Sequence, residues 1–102
     1  MFIFRALGAL SLIATLGAAF DGALSNAAAQ EGLSSMSCGD LWYRRNEIFA
    51  RNSYCFKTDR ALRVFGNQGC RFDVEGDVPM SRAEREEVEI IRAIERRKGC
   101  EA

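Results

Sequence analysis

The chain has 102 residues, room for one domain, with 14 Lys and Arg against 14 Asp and Glu and no histidine. The zero net charge provides no global field to attract nucleic acid, and the absent imidazole excludes Ser-His and Cys-His nucleophile schemes. The hydrophobic share of 48% overstates the core, because much of it lies in the first 29 residues.

Those residues read as a signal peptide. Arg5 supplies the positive start, residues 6–20 are apolar or small, residues 21–26 are polar, and Ala27-Ala28-Ala29 before Gln30 satisfies the small-residue cleavage rule. An apolar stretch of about 15 residues is short of the ~20 that span a bilayer, which argues against an uncleaved anchor. Cys38 lies too far beyond it for a lipoprotein. The expected division is therefore residues 1–29 as signal peptide, 30–39 as a loose lead-in and 40–102 as a helical domain. Such a domain would be periplasmic or secreted, with no integral membrane anchor after cleavage.

Cys38, Cys55, Cys70 and Cys100 all survive that cleavage, and an even number in a short exported chain implies a disulfide framework. The gaps of 16, 14 and 29 residues contain no C-x-x-C, and there is no His, which argues against zinc and against a cycling redox pair. A domain of about 70 residues buries only ~60% of its unfolded surface and needs such a staple.

Helix one is expected over residues 41–52, with Asp40 as N-cap. Leu41 and Ile48, and Trp42 and Phe49, are each seven apart and form one apolar face. Asn52-Ser53 ends this helix, with Asn52 suited to a left-handed cap. A second helix is expected over residues 59–65, capped by Thr58 or Asp59, with Leu62 and Phe65 facing inward and Gly66-Asn67-Gln68-Gly69 as its stop. Residues 70–80 form a loop carrying Asp73, Glu75 and Asp77. The third helix starts at the capping box Ser81-Arg82-Ala83-Glu84. Glu84, Glu86 and Glu87 near its start and Arg96, Arg97 and Lys98 near its end match the helix dipole. Val88, Ile91 and Ile94 form its buried stripe with Ile90 beside them, Gly99 stops it, and Cys100 pins it. The fold class is all-α, a small three-helix domain stapled by two disulfides.

A helix of 12 residues is ~18 Å long, so Cys38 and Cys55 stand at opposite ends, whereas a disulfide needs Cα atoms within about 7 Å. If the three helices run up, down and up, Cys38 pairs with Cys70 and Cys55 with Cys100. That pairing is favoured, with Cys38–Cys100 and Cys55–Cys70 as the alternative.

The stretch Arg45-Asn46-Glu47-Ile48-Phe49-Ala50-Arg51-Asn52-Ser53-Tyr54-Cys55-Phe56-Lys57 resembles the YARHG domain. That family is named for a Tyr-Ala-Arg-His-Gly segment, usually preceded by Arg-Asn-Glu-Ile and followed by Tyr-x-Phe-Lys. Here Phe49 stands at the Tyr, Asn52 at the His and Ser53 at the Gly. The resemblance continues through Leu62, Phe65, Ser81, Glu84, Ile91 and Glu95. The cysteines are outside the general family pattern and point to a branch of small exported four-cysteine proteins. The resemblance implies an extracytoplasmic module that engages the cell wall, and it implies no catalysis.

The residues themselves point the same way. A carboxylate pair hydrolysing a glycan needs a substrate cleft for which the domain has little room. The alternating loop acids suggest calcium, but Val74 and Val78 interrupt them and the EF-hand spacing is absent. No enzyme activity, cofactor or metal is expected. Residues 40–71 hold seven cations against three acids, and residues 72–102 hold six against nine. Either helix three neutralises the first two helices, or Arg44, Arg51 and Lys57, with Tyr43 or Tyr54, contact an anionic polymer through guanidinium forks. Arg45 and Asn46 read as structural, Arg45 pairing with Glu95 or backbone, and Trp42 reads as core. The expected function is a non-catalytic module binding a cell-envelope polymer (peptidoglycan or another anionic glycan) or an envelope protein. A secreted effector or inhibitor of an enzyme or host surface is the alternative.

Overall fold

A computed structural model describes residues 30–101, so the expected signal peptide lies outside the described residues. The chain divides after Ser34. Residues 30–34, expected as part of a loose lead-in, are helical. The second unit contains α1 (Cys38–Arg51), α2 (Asp59–Val64), a single 3-10 turn (Glu75–Asp77) and α3 (Arg82–Lys98). Among the described residues no helix is long and apolar enough to cross a membrane.

α1 begins three residues earlier than its apolar periodicity suggests. Ser37, not Asp40, is the N-cap: its hydroxyl accepts from the Asp40 amide at 3.1 Å, and its carbonyl accepts from Leu41 at 2.9 Å. Asp40 instead lies in the first turn, where its charge complements the dipole. At the other end the left-handed residue is Ser53 (φ 68°), and Asn52 has φ −102°. The family's Gly position, occupied here by Ser53, is thus where positive φ is required. Ser53→Gly is therefore expected to leave stability unchanged or raise it by up to about 1 kcal/mol. A urea melt showing a loss of more than about 1 kcal/mol would mean that the serine side chain has a task of its own.

α2 has only six residues, Thr58 capping it through the Ala61 amide at 3.2 Å. Its buried residue is Ala61; Leu62, expected inward, is exposed. Phe65, just beyond the helix, packs inward as expected, stacking on Phe56 at 5.3 Å and lying 5.9 Å from Trp42. Trp42, Ile48, Phe49, Phe56, Ala61, Val78 and Val88 form the core, with Tyr54, Phe72 and Met80 packed against it.

α3 follows its sequence signals closely. Ser81 and Glu84 form the reciprocal capping box, and Val88, Ile91 and Ile94 are buried. Gly99 takes the left-handed conformation (φ 70°), and the Cys100 amide reaches back to the Glu95 carbonyl at 2.9 Å. α1 and α3 pack together and run antiparallel, because the start of one is bonded to the end of the other.

That bond is Cys38–Cys100, and the second is Cys55–Cys70, correcting the favoured pairing of Cys38 with Cys70 and Cys55 with Cys100. The up-down-up arrangement fails because a six-residue helix of ~9 Å cannot span the length of α1. The segment folds back on itself instead. The Asn67 side chain accepts from the Phe56 amide at 2.7 Å and donates to the Phe56 carbonyl at 2.9 Å. The Ser53 carbonyl accepts from Arg71 and Phe72, and the Cys55 amide donates to Phe72 at 2.8 Å. These bonds return Cys70 to Cys55, leaving Cys100 to meet Cys38.

Candidate functional site

A groove of about 460 Å3 opens beside α1. Trp42, Arg45 and Asn46 reach it from α1, Tyr54, Phe56 and Lys57 from the α1–α2 connection, and Arg60 from α2. Arg92, Glu95 and Arg96 come from α3, with Glu75 and Glu101 completing it. Arg92 and Arg96 are four apart, so both project from one face of α3.

The Arg45–Glu95 pair is tied as a fork, Nε to Oε1 at 2.8 Å and Nη2 to Oε2 at 3.0 Å. Asn46 donates from Nδ2 to the Trp42 carbonyl at 2.9 Å. Trp42 is only 8% exposed, and the Arg60 guanidinium lies 3.8 Å from its ring centroid, a cation–π contact. Arg92 contacts Glu75. Lys57 and Arg96 form no ion pair among the described residues. Five cations thus face three carboxylates, and two of those carboxylates already neutralise Arg45 and Arg92. Burial raises the Tyr54 phenol pKa, with Glu75 and Asp73 adding to the shift.

Of the expected polymer-contacting residues, Lys57 and Tyr54 line this groove, whereas Arg44 and Arg51 are engaged outside it. Arg44 donates to Glu87 at 3.0 Å, and Arg51 approaches Glu84 at 3.2 Å and Glu47 at 3.6 Å. Tyr43 is 48% exposed with its ring 5.2 Å from that of Phe65. The basic first half of the domain is therefore partly neutralised by the acids of α3. Arg60 and Arg92 are groove residues the sequence did not single out, while Arg96 figured in it only as a match to the helix dipole and Glu75 only as one of the loop acids. The four-residue spacing of Arg92 and Arg96, beside the Ile91 and Ile94 stripe, is the signal that marks two of them. Among the described residues no cluster of His, Cys, Asp or Glu could hold a metal, and Asp73 and Asp77 are exposed.

The Arg45–Asn46–Glu47–Ile48–Phe49–Ala50–Arg51 motif is absorbed almost entirely by the fold. Arg45 ties α1 to α3, Asn46 holds its own helix, Ile48 and Phe49 are core, and Ala50 packs against it. Glu47 and Arg51 pair at i,i+4. Asn52, at the family's His position, donates to the Ile48 carbonyl at 2.8 Å and to Glu84 at 3.0 Å.

Glu84 therefore serves as both cap and clamp: Oε1 accepts from the Ser81 amide, and Oε2 accepts from Asn52 and Arg51. The Ser81 amide, followed by Asn52 and then Arg51, holds its carboxyl at about 2, against 4.5 ordinarily. A depressed carboxylate pKa contributes stability that is complete above about pH 4.5 and is lost as pH falls towards 2. Glu84→Gln is accordingly expected to lower Tm most near neutrality, with the difference from wild type closing between pH 5 and 2. Parallel melting curves across that range check it, and a gap independent of pH would show the carboxylate's charge to be immaterial.

A family model described as the YARHG domain matches residues 18–96. Nothing among curated proteins or solved structures matches the chain. The motif that marks the family in the sequence is the same one that joins α1 to α3, and the match spans most of the chain: this protein belongs to the YARHG domain family.

Proposed function

We propose that the protein is a non-catalytic exported module that binds an anionic cell-envelope polymer, peptidoglycan foremost, through the groove beside α1. The observation that carries this reading is Lys57 and Arg96 lining one groove with no ion pair among the described residues, next to Tyr54 and Phe56. Of the other groove cations, Arg45 and Arg92 are matched to Glu95 and Glu75 and Arg60 lies over the Trp42 ring, so Lys57 and Arg96 are the ones available to a ligand's charge. The volume is in the range that accommodates a small ligand or one segment of a polymer. Glu95 is held by both nitrogens of the Arg45 fork, which does not leave it as a free acid or base for hydrolysis. Two disulfides and the family membership fit an extracytoplasmic, oxidising compartment.

The test is co-sedimentation of the oxidised exported protein with purified peptidoglycan sacculi at low and high salt. Pelleting should weaken with salt and drop several-fold in Lys57→Ala/Arg96→Ala. It should persist in Arg44→Ala/Arg51→Ala, whose side chains are held by α3 outside the groove. An absence of pelleting at either salt would transfer the assignment to a protein partner.

A further inference from the structure

Arg92 is held in an unfinished way. Its Nη2 donates to both oxygens of Glu75, at 3.1 and 3.3 Å, while its Nε is buried without a hydrogen-bond partner. A carboxylate that fully satisfies a guanidinium takes two of its nitrogens, as Glu95 does with Arg45 in the same groove. Glu75 also comes from a three-residue turn, its side chain is 49% exposed, and its carboxylate makes no other hydrogen bond among the described residues. A pair this open to water contributes little to stability, and an orphaned Nε raises the benefit of a better partner.

We propose that Glu75 is the internal occupant of a carboxylate site, and that a peptide carboxylate entering the groove displaces it from Arg92. Lys57 and Arg96 meet the incoming charge. This rests on the envelope-binding reading and gives it a chemical class: free carboxylates of wall peptides, not sugar rings. Sugar recognition commonly stacks a ring on an open aromatic face, and the Trp42 face is already covered by Arg60. The group that Arg92 holds at rest is a planar two-oxygen anion, which favours carboxylate over the tetrahedral phosphate. The turn at Glu75–Asp77 is then a competitor built into the fold, lowering apparent affinity by the fraction of time that Glu75 is seated.

The experiment is calorimetric titration of the oxidised exported protein with acetyl-dialanine as its free acid, as its C-terminal amide, and with a uronic-acid polymer. Glu75→Gln removes the competitor's charge from an exposed position and is expected to bind the free acid about two- to fivefold more tightly than wild type. The amide should bind no better to the variant. Arg92→Lys, introduced into Glu75→Gln, should abolish the gain, because an ammonium cannot offer the two-nitrogen fork. Equal or weaker binding of the acid by Glu75→Gln would overturn the displacement. If the wild type still pelleted with sacculi, the envelope reading would survive that result. A gain confined to the uronic-acid polymer would overturn the peptide assignment. Failure of both pelleting and titration would overturn the displacement and the envelope reading together.

Discussion

Replacing Cys38 and Cys100 with serine is expected to lower Tm by about 15–30 °C. The bridge spans 62 residues, and in the chain-entropy model a loop of that size contributes about 4 kcal/mol. It also joins the start of α1 to the end of α3, so its loss frees both outer ends of the main helix pair at once. The inner bridge, Cys55–Cys70, spans 15 residues and is worth about 3 kcal/mol on the same basis. Its segment is additionally held by the Asn67–Phe56 and Ser53–Phe72 bonds, so Cys55→Ser/Cys70→Ser should melt above Cys38→Ser/Cys100→Ser. Thermal denaturation of the two variants beside the oxidised and reduced wild type checks the order. Alkylation of the intact protein should find no free thiol; a persistent one would rule out the two-bridge framework.

The pairing shows where the sequence stops being legible. Local signals read well: Thr58, Ser81 with Glu84, and Gly99 each sit at the cap their chemistry suits. Burial read well where the period was clean, as for Val88, Ile91 and Ile94. α1 starts ahead of its apolar pattern because the Ser37 cap outweighs Cys38 and Gly39, which are poor helix formers. The disulfides depend on topology, and a short second helix with its glycine stop does not by itself say where the chain goes next. The return of that segment onto α1's end is set by the Asn67–Phe56 and Ser53–Phe72 bonds, which leave no periodic signal in the sequence. The groove was hidden for a related reason. Lys57, Arg60, Glu75, Arg92 and Arg96 come from four separate parts of the chain, and only the fold brings them to one surface. The family motif, which stands out most in the sequence, contributes Arg45 and Asn46 to that surface but spends both on internal bonds.

Glu95→Ala should show how much of the domain rests on that motif, and its expected loss is about 3 kcal/mol. The Arg45 and Glu95 side chains are only 13% and 9% exposed, so the guanidinium left behind would be a nearly buried charge without its counter-ion. The cost comes mainly from that abandoned charge, not from the net worth of the pair. It follows that Arg45→Met/Glu95→Leu, which removes both charges and keeps similar volume, should recover most of the stability lost in the single variant. A double variant as unstable as Glu95→Ala would mean that the fork itself, and not relief of a stranded charge, holds α1 against α3. The same pair of variants separates fold from function. Lys57 and Arg96 remain in place in both, so the double variant should still pellet with sacculi. If it is stable but no longer pellets, Arg45 and Glu95 shape the groove as well as the core, and the motif serves binding after all.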